Sequence, residues 1–181
     1  MRKMVLIAAL LTLTIGLRAQ QTRTEVTNAT TIEDSRSNSD SVPSGYAITG
    51  HFERIQILRF KYDTDLLAGL EAMVKQEKIR NAVILSGIGS VRNYRYHVVS
   101  NRTFPSKDIF VTDPTGSADI AGMNGYVIDG RVHAHITLAD STRSFGGHLE
   151  RGTNVFTFAI VTIGVLNDNV ELKRVDDKTY R

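Results

Sequence analysis

The 181-residue chain contains no cysteine. This absence excludes disulfide bonds, a lipid anchor on a cysteine and a cysteine nucleophile. The Gly-x-Ser-x-Gly motif of serine hydrolases is missing as well, so acyl-transfer chemistry has no visible nucleophile with its base. A chain without disulfides must be stabilised by its hydrophobic core, by a metal ion or by association with other chains.

A hydrophobic run long enough to cross a membrane is not found at the N-terminus, where the apolar stretch extends only over residues 4–17. Arg2 and Lys3 precede this stretch, and Ala19 follows it at a suitable cleavage position. This pattern is typical of a secretory signal peptide, with a buried N-terminal helix as the alternative. We therefore expect residues 1–19 to be removed, which leaves a periplasmic or secreted protein without a stable membrane anchor.

An excess of charge of one sign is also lacking once the signal peptide is set aside. The chain has 22 basic and 19 acidic residues, a formal charge of +3. Three of the basic residues, Arg2, Lys3 and Arg18, lie in the expected signal peptide, so 22 minus 3 leaves 19 basic against 19 acidic residues. Nucleic-acid affinity depends on excess Lys and Arg facing phosphates, and this balance argues against nucleic acid as a partner.

Large apolar residues are scarce in residues 20–44, which are rich in Thr, Ser, Asn and Asp. Such a segment cannot bury enough apolar surface to offset the entropy of ordering it. We expect a flexible polar linker over residues 20–44, followed by one compact domain over residues 45–181.

The domain shows one helical pattern and several strand patterns. Residues 64–79 space their apolar side chains three to four apart, which predicts an amphipathic helix capped by Asp63 or Thr64. Hairpin turns are expected at Asp129–Gly130 and at residues 167–169. One helix among many strands indicates an α+β domain with a mainly antiparallel sheet. The predicted strands are 55–60, 81–89, 91–100, 118–129, 131–139, 154–166 and 169–175.

Three of the five histidines fall within residues 132–149. On a strand that follows the Asp129–Gly130 turn, His133 and His135 project from the face opposite to the apolar residues, and a hairpin can bring His148 beside them. Three neutral imidazoles with an open position form an arrangement that suits Zn²⁺. The alternative is that these histidines are simply the polar face of a strand.

Acidic residues near these histidines are candidates for supporting roles. Glu150 lies two residues beyond His148 and shares its face, and Asp140 and Asp129 lie in adjoining turns. Any of the three could hydrogen-bond a metal ligand or act as a general base, although carboxylates in turns are commonly just solvated.

Residues 85–95 contain a second tempting pattern. Gly87 and Gly89 follow an apolar run as in a dinucleotide-binding fingerprint, but Arg92 stands where the third glycine belongs and no helix pattern follows. The alternating Arg and Tyr residues at 92–96 could bind an anion. Pairing with a neighbouring strand explains them as well, and we favour that interpretation.

The combination of Asp-Gly-x-x-His-x-His at 129–135 with Gly-Gly-His-Leu at 146–149, after an amphipathic helix, resembles the plants-and-prokaryotes-conserved (PPC) domain family. The resemblance covers about residues 46–176. It implies an α+β domain that assembles as a homotrimer, and in some prokaryotic members a zinc site on histidines matching His133, His135 and His148. The Arg-Gly-Arg-Pro AT-hook of plant members is absent, so DNA binding has no visible carrier.

The sequence leaves two functional classes open. A binding module would hold an unknown small anionic or carbonyl ligand at an open zinc site. A zinc-dependent hydrolase or lyase would use metal-bound water with Glu150 or Asp140 as the base. A DNA-binding architectural protein is the least favoured class.

Overall fold

The structure is a computed structural model, and it describes residues 20–26 and 40–176. Over these residues the chain forms eight strands and one helix. All strand pairings are antiparallel, which confirms an α+β domain with a mainly antiparallel sheet. In chain order the elements are β1 Thr22–Val26, β2 Phe52–Lys61, α1 Leu66–Gln76, β3 Ala82–Val99, β4 Asp108–Asp113, β5 Ala118–Ile128, β6 Arg131–Ala139, β7 Ser144–Leu149 and β8 Asn154–Leu166.

The eight-stranded sheet closes on itself around the long strand β3. The main order is β1-β4-β3-β5-β6-β7, while β8 pairs with both β2 and β3. Strand β7 pairs with β6 on one side and with the end of β3 on the other, through Tyr96 opposite Leu149 and His97 opposite His148. The circuit β3-β5-β6-β7 therefore returns to β3, so that it has an inner and an outer face.

Strand β6 shows how the sequence pattern separates these two faces. Val132, Ala134, Ile136 and Leu138 are at most 8% exposed and belong to the hydrophobic core. The alternate residues of β6 are partly or fully exposed on the outer face. The apolar alternation thus supplies the interior, and the histidines of this strand lie on the outside, as the two-residue period requires.

Helix α1 contributes its apolar side to the same core. Leu66 and Leu70 are 0% and 1% exposed, and the helix contacts β2, β6 and β8. Its N-cap is Asp65, whose Oδ1 accepts a hydrogen bond from the backbone N of Ala68 at 2.9 Å. The predicted helix is confirmed. Its cap is Asp65 and not Asp63 or Thr64, because the Asp65 carboxylate reaches the free N–H groups of the first turn.

Several element boundaries differ from the sequence-based expectations. The segments 81–89 and 91–100 form a single strand, β3, because its neighbours change from β5 and β8 to β4 and β7 along its length. The strand expected at 169–175 is wrong, and with it the hairpin at 167–169, since these residues form turns and irregular backbone. The hairpin at Asp129–Gly130 is confirmed between β5 and β6.

Three strands, β1, β4 and β7, are absent from the strands predicted from the sequence, although a hairpin after β6 was expected where β7 lies. Thr22–Val26, in the segment expected to be a linker, forms β1 and pairs with β4 at Asp108–Asp113. The expected signal peptide at 1–19 lies outside the described residues. None of the helices that the structure describes, over residues 20–26 and 40–176, is long and apolar enough to span a membrane.

Candidate metal centre

Four of the five histidines of the chain lie together on the outer face of the closed part of the sheet. The strand register explains three of them, since His97 on β3 is opposite His148 on β7, and His148 is opposite His135 on β6. Residues directly opposite each other in an antiparallel pair project from the same face. His133 precedes His135 by two residues and therefore joins the same face from the next row of the sheet.

The imidazole rings are in mutual contact. The ring centroids of His97 and His148 are 4.5 Å apart, and those of His133 and His148 are 4.8 Å apart. His135 lies 5.5 Å from both His133 and His148. The structure thus brings together all three histidines that the sequence pointed to, and it adds His97 as a fourth.

Glu150 is the acidic member of this group. Its Oε1 lies 2.7 Å from Nδ1 of His97 and 3.5 Å from Nδ1 of His148. His97, His148 and Glu150 each offer one ligand atom, and these atoms lie within 4.8 Å of one another. A small shift of these side chains would bring one carboxylate oxygen and two imidazole nitrogens around a single cation.

Two glycines allow β7 to lie between its neighbours. A Cβ atom at Gly146, whose φ is +154°, would lie 1.9 Å from the carbonyl oxygen of Ile136 on β6. A Cβ atom at Gly147 would lie 2.3 Å from the carbonyl oxygen of His97 on β3. Only glycine permits so close an approach on both sides, and this approach is what places His148 beside His97 and His135.

The environment favours neutral imidazoles. Burial lowers the pKa of His148, and the neighbouring His97 and His133 lower it further, although the Glu150 carboxylate acts in the opposite direction. Partial desolvation and the nearby His133 and His97 also lower the pKa of His135. Neutral imidazole is the form that binds a metal, so this donor set is suited to a divalent cation near neutral pH.

A second carboxylate contacts the cluster from outside the sheet. Oδ2 of Asp176, near the C-terminus, lies 2.9 Å from Nδ1 of His133 and 2.6 Å from Nη2 of Arg131. Asp176 therefore contacts the ring of His133 at the nitrogen nearer the backbone.

The other acidic candidates lie elsewhere. Asp140 Oδ1 accepts hydrogen bonds from the backbone N of Thr142 and Arg143 in the turn after β6. Asp129 pairs with Arg80 in the β5–β6 hairpin. Of the two candidate bases, Glu150 lies in the histidine cluster and Asp140 stabilises a turn.

Sequence reasoning overlooked His97 and Asp176. His97 lies on a segment that was recognised as a strand, and its alternation with the buried Tyr94 and Tyr96 places it on the outer face. Its strand partner could not be read from a single sequence. Asp176 showed no sequence pattern that would place it at the site, because it lies just after a segment that was wrongly expected to be a strand. Arg95 lies over the ring of Phe110 on the paired strand β4, in keeping with the cross-strand interpretation, while Arg92 lies over the ring of Tyr62 in the turn after β2.

These observations define a class of protein: an α+β domain whose antiparallel sheet closes around one long strand and carries a group of histidines on its outer face. The sequence profile of the Plants and Prokaryotes Conserved (PCC) domain matches residues 47–167. The chain therefore belongs to this family, as the motifs at 129–135 and 146–149 had indicated.

Solved structures share the fold. A plant- and prokaryote-conserved (PPC) protein from Pyrococcus horikoshii is 28% identical, with a TM-score of 0.55 over 68% of this chain and 87% of that one. A hypothetical protein from Salmonella enterica is 25% identical, with a TM-score of 0.55 over 67% and 81%. The metal-containing protein AF0104 from Archaeoglobus fulgidus is 20% identical, with a TM-score of 0.57 over 68% and 86%. At that identity, the last likeness shows the fold alone.

A curated relative is similar over the same domain. The bifunctional protein GlmU of Synechococcus sp. (strain JA-3-3Ab) is 26% identical over 121 residues, or 66% of this chain. The match spans 18% of the length of that relative. The likeness therefore concerns one domain of a much longer protein.

Proposed function

We propose that this domain binds a divalent metal ion, zinc, through His133, His135 and His148. The observation that carries the proposal is the convergence of four imidazoles and one carboxylate on one outer face of the sheet. Imidazole nitrogens with a carboxylate nearby are donors that Zn²⁺ accepts readily. The Archaeoglobus fulgidus protein of the same fold is a metal-containing protein, which supports the proposal.

Among the described residues, the group whose donor atoms already lie within 4.8 Å of one another is His97, His148 and Glu150, and it shares His148 with the proposed set. The shared position means that His148 has a central role whichever set holds the ion. We therefore expect a change at His148 to weaken metal binding more than a change at any other single histidine.

The proposed ligand of this centre is a small molecule. His133 and His135 line a cavity of about 390 Å³ together with Val83, Asn124 and Tyr126. A cavity of this size falls in the range of small-molecule sites, and its mixture of apolar walls and polar groups is typical of them. An anionic or carbonyl oxygen of such a ligand is the chemical group that zinc would attract.

Elemental analysis after dialysis tests the metal proposal. We expect the purified protein to hold about one zinc per chain, and to lose it in a His133→Ala/His135→Ala variant and in His148→Ala. His51→Ala is the matched control, because His51 is the one histidine outside the cluster. Absence of zinc from the wild-type domain after zinc is supplied would contradict the proposal, and so would equal zinc content in all variants.

A zinc-dependent hydrolase or lyase is the second candidate function. The position of Glu150 favours it, since this carboxylate lies beside two imidazoles and can accept a proton at Oε1. Bound zinc would act as a Lewis acid on a carbonyl group. Hydrolysis of 4-nitrophenyl acetate by the zinc-loaded protein, lost in Glu150→Gln with the zinc retained, would support an enzyme. No hydrolysis above the background rate in either protein would favour a binding module.

Export and assembly as a homotrimer complete the proposal. Family resemblance supports the trimer, and so do the large apolar side chains that β2 and β3 expose, among them Ile55, Ile57 and Ile88 at 52%, 71% and 55%. Light scattering should give three times the mass of the chain, and a monomer would contradict this. Mass spectrometry of the protein from its native cell should show an N-terminus near Gln20.

A further inference from the structure

The C-terminal segment after β8 lies against the sheet beside the histidine cluster. Residues 168–176 follow the region that matches the family profile, which ends at 167. Val170 and Leu172 are each 5% exposed and pack with Ile128 and Leu166. Nδ2 of the buried Asn81 donates a hydrogen bond to the carbonyl oxygen of Val170 at 2.7 Å. The segment is therefore anchored by apolar contacts and by a buried hydrogen bond.

This anchoring brings the carboxylate of Asp176 to β6. Its Oδ2 accepts hydrogen bonds from Nη2 of Arg131 at 2.6 Å and from Nδ1 of His133 at 2.9 Å. Partial burial acts to raise the pKa of Asp176, but the hydrogen bonds from His133 and Arg131 outweigh it and lower the pKa. The side chain is thus a charged acceptor at neutral pH, held by Arg131 and directed at one nitrogen of His133.

A carboxylate on Nδ1 selects one tautomer of the ring. Since the carboxylate can only accept, the proton of neutral His133 is assigned to Nδ1, and the lone pair is left on Nε2. The ring of His133 lies parallel to that of His135, with 4° between the planes, and its centroid is 4.8 Å from that of His148. The same contact therefore determines both which nitrogen is free to bind and how the ring is oriented.

We propose that Asp176 is a positioning residue for the metal centre, which holds His133 through Nδ1 so that Nε2 is the donor to the cation. The inference rests on the proposed metal-binding function. It assigns a role to a residue outside the matched family region, and it makes the C-terminal segment of this chain a part of the site. Carboxylates that hydrogen-bond a metal-ligating histidine contribute about 10- to 100-fold to metal affinity.

Zinc affinity of position-176 variants tests the energetic part of this inference. Competition with a chromogenic chelator should show zinc bound about 10- to 100-fold more weakly by Asp176→Ala. Asp176→Asn keeps an acceptor oxygen without the charge, and should fall between the wild type and the alanine variant. The matched control is Glu171→Gln. Glu171 lies in the same C-terminal segment, but its carboxylate pairs with Arg80, at 2.6 Å, and not with a histidine. This variant should bind zinc like the wild type.

The tautomer of His133 in the metal-free protein tests the geometric part. Long-range ¹H–¹⁵N spectra of ¹⁵N-labelled protein should show a protonated Nδ1 for His133, and a mixture of tautomers in Asp176→Ala with the folded spectrum retained. An unchanged tautomer would overturn the inference. A zinc affinity of Asp176→Ala within about twofold of the wild type would overturn it too, as would an equal loss in Glu171→Gln. If the wild-type protein binds no zinc, the metal proposal fails by itself, and the tautomer still decides whether Asp176 orients His133.

Discussion

Replacing Gly146 by alanine should destabilise the domain at the strand that carries His148. The added Cβ would lie 1.9 Å from the carbonyl oxygen of Ile136, far inside van der Waals contact, and the φ of +154° is unfavourable for any residue with a side chain. Backbone strain of this kind costs about 1–3 kcal/mol. Forcing β6 and β7 apart adds about 1–3 kcal/mol, as overpacking does in other tightly packed regions. We expect a total loss of about 2–6 kcal/mol.

Urea denaturation of the metal-free domain measures this loss. With an m-value of about 2 kcal/mol per M, the midpoint of the Gly146→Ala variant should fall by about 1–3 M. Gly122→Ala is the matched control, because a Cβ at Gly122 in β5 meets no heavy atom within 4 Å. This variant should be as stable as the wild type, or gain up to about 1 kcal/mol from a less flexible unfolded chain.

Zinc binding by the same two variants connects the strand to the site. If β7 is displaced, His148 moves away from His97 and His135, so Gly146→Ala should lose zinc affinity while Gly122→Ala keeps it. A Gly146→Ala protein within about 0.5 kcal/mol of the wild type would refute the reasoning, since it would mean that the two strands separate at little cost.

Three further predictions concern stability of the metal-free protein, each measured by urea denaturation. Because the pKa of His148 is below its ordinary value, the unfolded chain binds more protons than the folded one in the window below about pH 6.5. The contribution of this ring to the free energy of unfolding should therefore be fully present above about pH 6.5, and it should be lost as the pH is lowered from there toward the folded-state pKa. A free energy of unfolding that stays constant between pH 7.5 and 5 would contradict the burial of this ring. Asp65→Ala removes acceptors for the backbone N of Ala68 at 2.9 Å and of Gly152 at 2.7 Å, and should cost about 1–2 kcal/mol. Asp65→Asn should cost less, and equal losses would show that the cap does not depend on an acceptor oxygen. Asn81→Ala leaves the backbone N of Asp129 and the carbonyl oxygen of Val170 without their partner, and should cost at least about 1–3 kcal/mol. A loss below about 0.5 kcal/mol would show that these groups find other partners.

The sequence predicted the fold correctly where the buried and exposed faces of a single strand or helix follow from its own pattern of apolar residues. The alternation of β6 and the three-to-four spacing of α1 are set by burial of each element, and both were read correctly from the sequence. The turn at Asp129–Gly130 was equally local, since both residues adopt positive φ. Residues 169–175 alternate like a strand, but Val170 and Leu172 are buried beside the edge of the sheet without a strand partner.

The candidate site was predictable only in part because it depends on pairing between distant strands. His133 and His135 share a strand, and His148 lies on the next one, so a hairpin was enough to bring these three together. His97 joins them through β3, whose pairing with β7 spans about fifty residues and is determined by closure of the whole sheet. Asp176 reaches His133 through a segment without regular structure, for which period and propensity give no guidance.

The place of His148 on β7 has a consequence for how this protein moves. Strand β7 has six residues, and only two of them pair with β3: His148 lies opposite His97 and Leu149 opposite Tyr96. A cation bound by His148 would link this short strand to the histidines of its neighbours and should make local opening of β7 less frequent. The amide hydrogens of β7 should then exchange with solvent more slowly as zinc is added, by a factor set by the ratio of zinc concentration to its Kd. Strand β7 would then be fully paired with its neighbours only while the ion is bound.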